Sequence, residues 1–261
     1  MASNFSIYSF PLMTTGLSGA FAAQLSWTEV ESRVGSAAIA VLPVGAACKQ
    51  HGLHLPMQAD LVQAEWLAQA LVQHANVLVW PTVSYGYYPA FTDYPGSVTL
   101  SRKTFQCMTQ EILSGIHRTG VRTALILNTG VSTIEPLQAV VDKMSNKMCI
   151  KLVNVYDGPC YLDMANDIEE QSCGGHADEL ETSIMLAIDP QCVRQDKAER
   201  WTPTGMAARG AFSRDQKKPR FSPSGVWGDP TLASEEKGHR LLEAIVDDLL
   251  TAVKALQKER R

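Results

Sequence analysis

Four short apolar runs alternate with stretches of helical periodicity, and this alternation constrains the fold more than any other feature of the chain. The runs are Ala37–Pro43 (AAIAVLP), Asn76–Val83 (NVLVWPTV), Thr123–Asn128 (TALILN) and Cys149–Asp157 (CIKLVNVYD). Their length and apolar content suit strands buried on both faces. Between them, Leu61, Ala64, Leu67, Ala68 and Leu71 recur at helical spacing, as do Phe105, Met108, Ile112 and Ile116 ahead of Gly120. Thr133–Ser145 and His176–Ile188 read as further helices. Leu241, Leu242, Ile245, Leu249 and Val253 stripe a last helix that begins near Ser234. Strands separated by helices predict right-handed parallel crossovers, hence a doubly wound α/β fold: a mostly parallel sheet with helices on both faces. Such folds bind ligands beyond the carboxyl ends of their strands. The loops Gly45–Asp60 and Asn128–Thr133 should therefore meet at one rim.

With 261 residues, 45% of them hydrophobic, the chain can build one large domain. We place it at residues 25–261, behind an N-terminal extension of residues 1–24. That extension is mildly apolar but has no Lys or Arg before its apolar part, and Pro11 and Gly16 interrupt it, unlike a signal peptide. A net charge of −4 gives no basic footprint for nucleic acid or an anionic membrane. No run approaches the roughly 18 apolar residues of a membrane span. Cys48, Cys107, Cys149, Cys160, Cys173 and Cys192 form no C-x-x-C pair. We read them as reduced thiols of a cytoplasmic protein, most of them in the core.

Chemistry concentrates in Val44–Asp60, VGAACKQHGLHLPMQAD, which holds Cys48, Lys49, His51, His54 and Asp60. Two histidines and a carboxylate suggest metal ligation, whereas a lysine two residues before His51 opposes it. Lys49 and Asp60 read either as an ion pair or as a desolvated amine beside its counter-ion. Cys48 next to Lys49 reads as an activated thiolate or, more simply, as an inert thiol. Tyr85, Tyr87, Tyr88, Phe91 and Tyr94 make an aromatic loop suited to a pocket wall or a subunit contact. The basic run Arg214–Arg220 reads as a solvated loop, and His74, His117 and His239 as surface residues.

Four collinear segments resemble the creatininase (creatinine amidohydrolase) family. They are LPVG…QHGLHLPMQAD, Tyr94–Leu100 (YPGSVTL), Gly174–Ile188 (GGHADELETSIMLAI) and Gly225–Gly238 (GVWGDPTLASEEKG). The resemblance implies a three-layer α/β sandwich in a ring-like homo-oligomer and hydrolysis of C–N bonds in small substrates by two divalent metals. His51 and Asp60 keep the family's spacing for a His ligand and the bridging Asp. The family's Glu ligand position holds Lys49, and the loop there is one residue longer. Its second ligand loop, after the third strand, has Gly130 at the His position and Ser132 at the Glu position. A lysine about 4 Å from a divalent cation is repelled by roughly 8 kcal/mol at an effective dielectric of 20. The resemblance also matches His176 to an acid/base residue and Glu181 to its support, with Asp178 where the family has Gly.

Three functions follow as alternatives. The first is an enzyme acting on a small amide or carbonyl compound by metal-poor acid/base catalysis. Lys49, His51, Asp60, His176 and Glu181 would be its working group, and Cys48, His54, Ser132, Tyr94 and Asp178 would face the substrate. The second is a catalytically inactive homologue serving as a binding or structural subunit. The third, a conventional two-metal amidohydrolase, is opposed by Lys49, Gly130 and Ser132. No cofactor is expected, and any single divalent ion would use His51 and Asp60.

Overall fold

The computed structural model describes residues 19–35, 38–202, 212–218 and 221–259. Residues 1–18 of the N-terminal extension, and Pro219 and Arg220 of the basic run, lie outside the described residues. The strands are β1 (Ala20–Phe21), β2 (Ile39–Val44), β3 (Val77–Val79), β4 (Thr123–Asn128) and β5 (Cys149–Asn154). The helices are α1 (Trp27–Gly35), α2 (Ala59–His74), α3 (Arg102–Arg118), α4 (Ile134–Met144), α5 (Pro159–Ile168), α6 (Glu179–Ile188) and α7 (Glu235–Glu259).

The five strands form one parallel sheet in the order β1-β3-β2-β4-β5. The chain leaves β2 for β3 on one side and then crosses to β4 on the other. The topological switch point therefore lies between β2 and β4. Alternate side chains divide the core. Ile39, Val41, Leu125 and Leu127 pack with α2, α5, α6 and α7, whereas Ala40, Leu42, Ala124 and Ile126 pack with α3 and α4. This is the expected three-layer sandwich, with every residue of β2, β3 and β4 buried and alternate side chains on opposite faces.

Some boundaries differ from the sequence reading. β3 ends at Val79, and the rest of its apolar run descends into the following loop. The helix expected from His176 starts at Glu179, because the Asp178 carboxylate accepts from the Leu180 and Glu181 N–H groups and so caps it. α1, α5 and the edge strand β1 were not foreseen. The cysteines are a correction: Cys107, Cys149, Cys160 and Cys173 are exposed and only Cys48 and Cys192 are half-buried. Cys107 falls on the outer side of α3, whose buried positions are Phe105, Thr109, Leu113 and Ile116.

Packing of α6 against α7 closes the domain. The Lys237 ammonium lies 2.5 Å from the wholly buried Glu179 carboxylate and 2.5 Å from Glu170. Gly238 brings the two backbones together, since a Cβ there would overlap the Ser183 carbonyl. Gly238→Ala should therefore destabilise the protein by about 3 kcal/mol. Denaturant unfolding checks this, and an unchanged midpoint would show that the helices separate freely.

Candidate active site at the switch point

Asp60 stands in the first turn of α2, where the helix dipole favours an anion. It is 1% exposed, and both of its oxygens are taken. Lys49 Nζ lies 2.7 Å from Oδ2, and His51 Nε2 lies 2.9 Å from Oδ1. His51 Nδ1 is 2.9 Å from the Lys49 carbonyl oxygen, so both ring nitrogens face acceptors. Burial alone would raise the Asp60 carboxyl, but Lys49 and His51 outweigh it and hold the group well below the usual carboxylate range.

The β2–α2 loop that carries these residues is knitted by Gln50, which the sequence reading passed over. Its side-chain nitrogen donates to the Gly225 carbonyl, its side-chain oxygen accepts from Gly52 N–H, and its backbone carbonyl faces His176 Nε2 at 2.8 Å. A carbonyl only accepts, so Nε2 carries the proton and the Nδ1 lone pair is left bare, 3.6 Å from Glu181 Oε2. Burial, then the charge of Lys49, then His51 push His176 well below its ordinary value. The Phe91 ring packs 4.4 Å from the His176 ring, with the His51 ring at 5.0 Å on another side. Glu181 also accepts from Ala177 N–H at 2.5 Å, holding a non-glycine residue at φ 48°.

The other candidates separate. His54 is wholly buried, with Nε2 2.8 Å from Thr182 Oγ1. Burial and then His51 lower its pKa to about 4. Tyr94 donates to the Ser222 carbonyl at 2.7 Å. Asp178 caps α6 and also accepts from Gly175 N–H. Cys48 is half-buried beside the Lys49 loop, with its carbonyl bonded to Val98 N–H. Of the aromatic loop, Tyr88, Phe91 and Tyr94 turn inward onto Phe212 rather than outward.

A narrow open crevice reaches Lys49 and Asp60 between the β2 and β4 ends. Tyr87, Tyr88, Gly130, Ser132 and Thr133 also line it. The β4 loop is closed on itself: Asn128 donates to the Gly130 carbonyl, and the Thr133 hydroxyl lies 2.7 Å from Asn128 Oδ1. A side chain at position 130 would meet that hydroxyl. A two-metal centre does not fit these residues. The bridging carboxylate already holds two nitrogen donors, and positions 130 and 132 bring no strong ligand. Among the described residues one other set approaches metal-binding geometry, His51, His176 and Glu181, with ligand atoms within 4.8 Å of one another. The His51 nitrogens there are both engaged and Lys49 stands close by.

A parallel α/β sandwich with buried ionisable side chains at its switch point places polar chemistry where such folds bind ligands. The chain belongs to the creatininase family, whose model, described as creatinine amidohydrolase, matches residues 23–253. It is 26% identical over 255 residues to creatinine amidohydrolase of Pseudomonas putida, covering 90% of this chain and 96% of that one. It is 23% identical over 266 residues to 3-dehydro-scyllo-inosose hydrolase of Thermotoga maritima, covering 92% and 84%. It is 25% identical over 232 residues to a mycofactocin precursor peptide peptidase of Mycolicibacterium smegmatis, covering 84% and 86%. Among solved structures, a zinc–zinc form of a creatininase mutant superposes with a TM-score of 0.77 at 24% identity, covering 92% of this chain and 98% of that one. A manganese creatininase gives 0.75 at 23% identity, with the same coverage.

His54 makes stability pH-dependent. Its folded pKa lies below its unfolded value of 6.5, so the unfolded chain binds the extra proton between about pH 6.5 and 4. Stability is full above that window and falls as pH drops through it. His176 acts in the same direction, and Asp60 adds its own loss below its unfolded value of 3.8. The urea midpoint should therefore fall from pH 7 to pH 4.5, and His54→Gln should flatten the fall. A steeper fall in that variant would contradict the assignment.

Proposed function

We propose that this chain is a hydrolase-type enzyme acting on a small amide or carbonyl compound, with the Lys49 ammonium doing the charge work that metals do in zinc or manganese relatives. The observation that carries this reading is the saturated Asp60 carboxylate, flanked by Lys49 and His51 at the base of the crevice. Burying such a group costs several kcal/mol, and apolar side chains of equal volume would make a more stable core. Its presence at the switch point has a reason in chemistry rather than in stability.

In this reading Lys49 donates to the substrate carbonyl oxygen and His51 holds Asp60 in place. His176 Nδ1 takes a proton from the water that adds to the carbonyl carbon. It then returns that proton to the leaving nitrogen as the C–N bond breaks, yielding an acid and an amine. Glu181, 3.6 Å from Nδ1, stabilises the imidazolium that this proton forms. We further assign a homo-oligomer in the cytoplasm. Leu53, Tyr85, Val98 and Val131, exposed on the loops around this same edge, support a contact between copies. Among the described residues no helix is long and apolar enough to cross a membrane.

One observation favours the second reading, a binding subunit without catalysis. The crevice lining does not include His176, and Phe91 and Phe212 pack against that ring. Turnover assays on small lactams, cyclic imides and cyclic ketones separate the readings. The enzyme reading expects a rate indifferent to chelator, with Lys49→Met and His176→Asn each lowering kcat/KM about 100-fold or more. Circular dichroism checks that both variants fold. Chelator-sensitive turnover would overturn the lysine-based chemistry, and no turnover of any compound would favour the binding subunit.

A further inference from the structure

The crevice offers the Lys49 ammonium and the Tyr88 hydroxyl as donors and, among the described residues, no free carboxylate. Its one carboxylate, Asp60, already accepts from Lys49 and faces His51 with its other oxygen. The Lys49 ammonium has three hydrogens and commits one to Asp60, leaving two for a ligand. Tyr88 is the second donor. It is 3% exposed and lines the crevice, and its hydroxyl makes no well-formed hydrogen bond among the described residues. The nearby Gly86 backbone N–H can only donate, so it offers nothing to the phenolic hydrogen. A buried hydroxyl hydrogen without an acceptor is unfavourable, and a ligand supplying an acceptor would relieve it. Around the two donors the walls are Gly86, Gly130, Ser132 and Val44, and the space they enclose admits little more than one small polar group.

We propose that Lys49 and Tyr88 form a subsite for an acceptor oxygen, carbonyl or carboxylate, of a small ligand whose body stays in the open mouth of the crevice beside Gly130 and Ser132. The site selects against protonated amines and guanidines, because a cation would face an ammonium and find the only carboxylate saturated. Burial raises the Tyr88 phenol to about 12, and the Asp60 charge adds to the rise, so it remains a donor across the physiological range. The proposal rests on the crevice being the ligand site and not on catalysis, so it deepens the functional reading without depending on turnover.

The test is binding of three ring compounds of matched size to the full chain, followed by ligand-observed NMR: succinimide, cyclopentanecarboxylate and cyclopentylamine. At least one of the first two should bind, at least tenfold more tightly than the amine, and which one binds tells carbonyl from carboxylate. Tyr88→Phe should weaken that binding by roughly fivefold to tenfold, the factor one hydrogen bond carries. It should leave the Tm of the ligand-free protein unchanged or raised, since the phenolic hydrogen has no acceptor to lose. Equal binding of the amine, no binding of either acceptor compound, wild-type affinity in Tyr88→Phe, or a lowered ligand-free Tm would each overturn the subsite. Binding as expected with no turnover of any compound would instead leave the subsite standing and remove the hydrolase reading.

Discussion

The buried Asp60 carboxylate is the interaction on which the rest of this edge of the molecule depends. Its side chain fixes the β2–α2 loop through Lys49 and His51, and its backbone carbonyl accepts from the Thr129 hydroxyl at 2.9 Å, tying α2 to the β4 loop. Gly45 passes so close to that carbonyl that a Cβ would overlap it. One residue thus joins the two loops that flank the switch point. A carboxylate so buried is tolerable only when charged partners and the helix N-terminus offset its desolvation. Removing Lys49 alone would leave an uncompensated charge, which is why charge and fold cannot be varied independently here.

An ammonium is not a divalent cation. It brings one positive charge and directional hydrogens, so it can hold and polarise an oxygen. It does not pull the pKa of bound water towards neutrality as a metal does. Any hydrolysis at this site therefore needs a base of its own, the duty we propose for His176, whose Nε2 is held at the Gln50 carbonyl. The Phe91 ring touches both groups, 5.3 Å from Lys49 Nζ and 4.4 Å from the His176 ring.

Much of the fold was legible in the sequence because the central strands are buried on both faces and read as unbroken apolar runs. β4 appears with the bounds its composition suggests, Thr123–Asn128. α5 escaped notice because its capping is not local: the Asp248 carboxylate of α7 accepts from the Cys160 and Tyr161 N–H groups. α1 carried a signal that was missed, the Ser26-x-x-Glu29 capping box, in which each side chain accepts from the other residue's N–H. In the site, Lys49, His51 and Asp60 meet within hydrogen-bond distance, and His176 and Glu181, paired in the sequence through the family resemblance, lie 3.6 Å apart. Tyr88 was read only as one of a set of aromatics. Which member of that set faces the crevice is decided by loop packing against Phe212, and no local pattern encodes it.

The central claim is that Lys49, and not a metal, completes the Asp60 carboxylate. Diffraction from crystals grown with excess zinc, with data collected on both sides of the zinc edge, tests it most directly. The account predicts Lys49 Nζ bonded to Asp60 and no anomalous peak between His51 and Asp60. Two anomalous peaks bridged by Asp60, with Lys49 turned away, would contradict it.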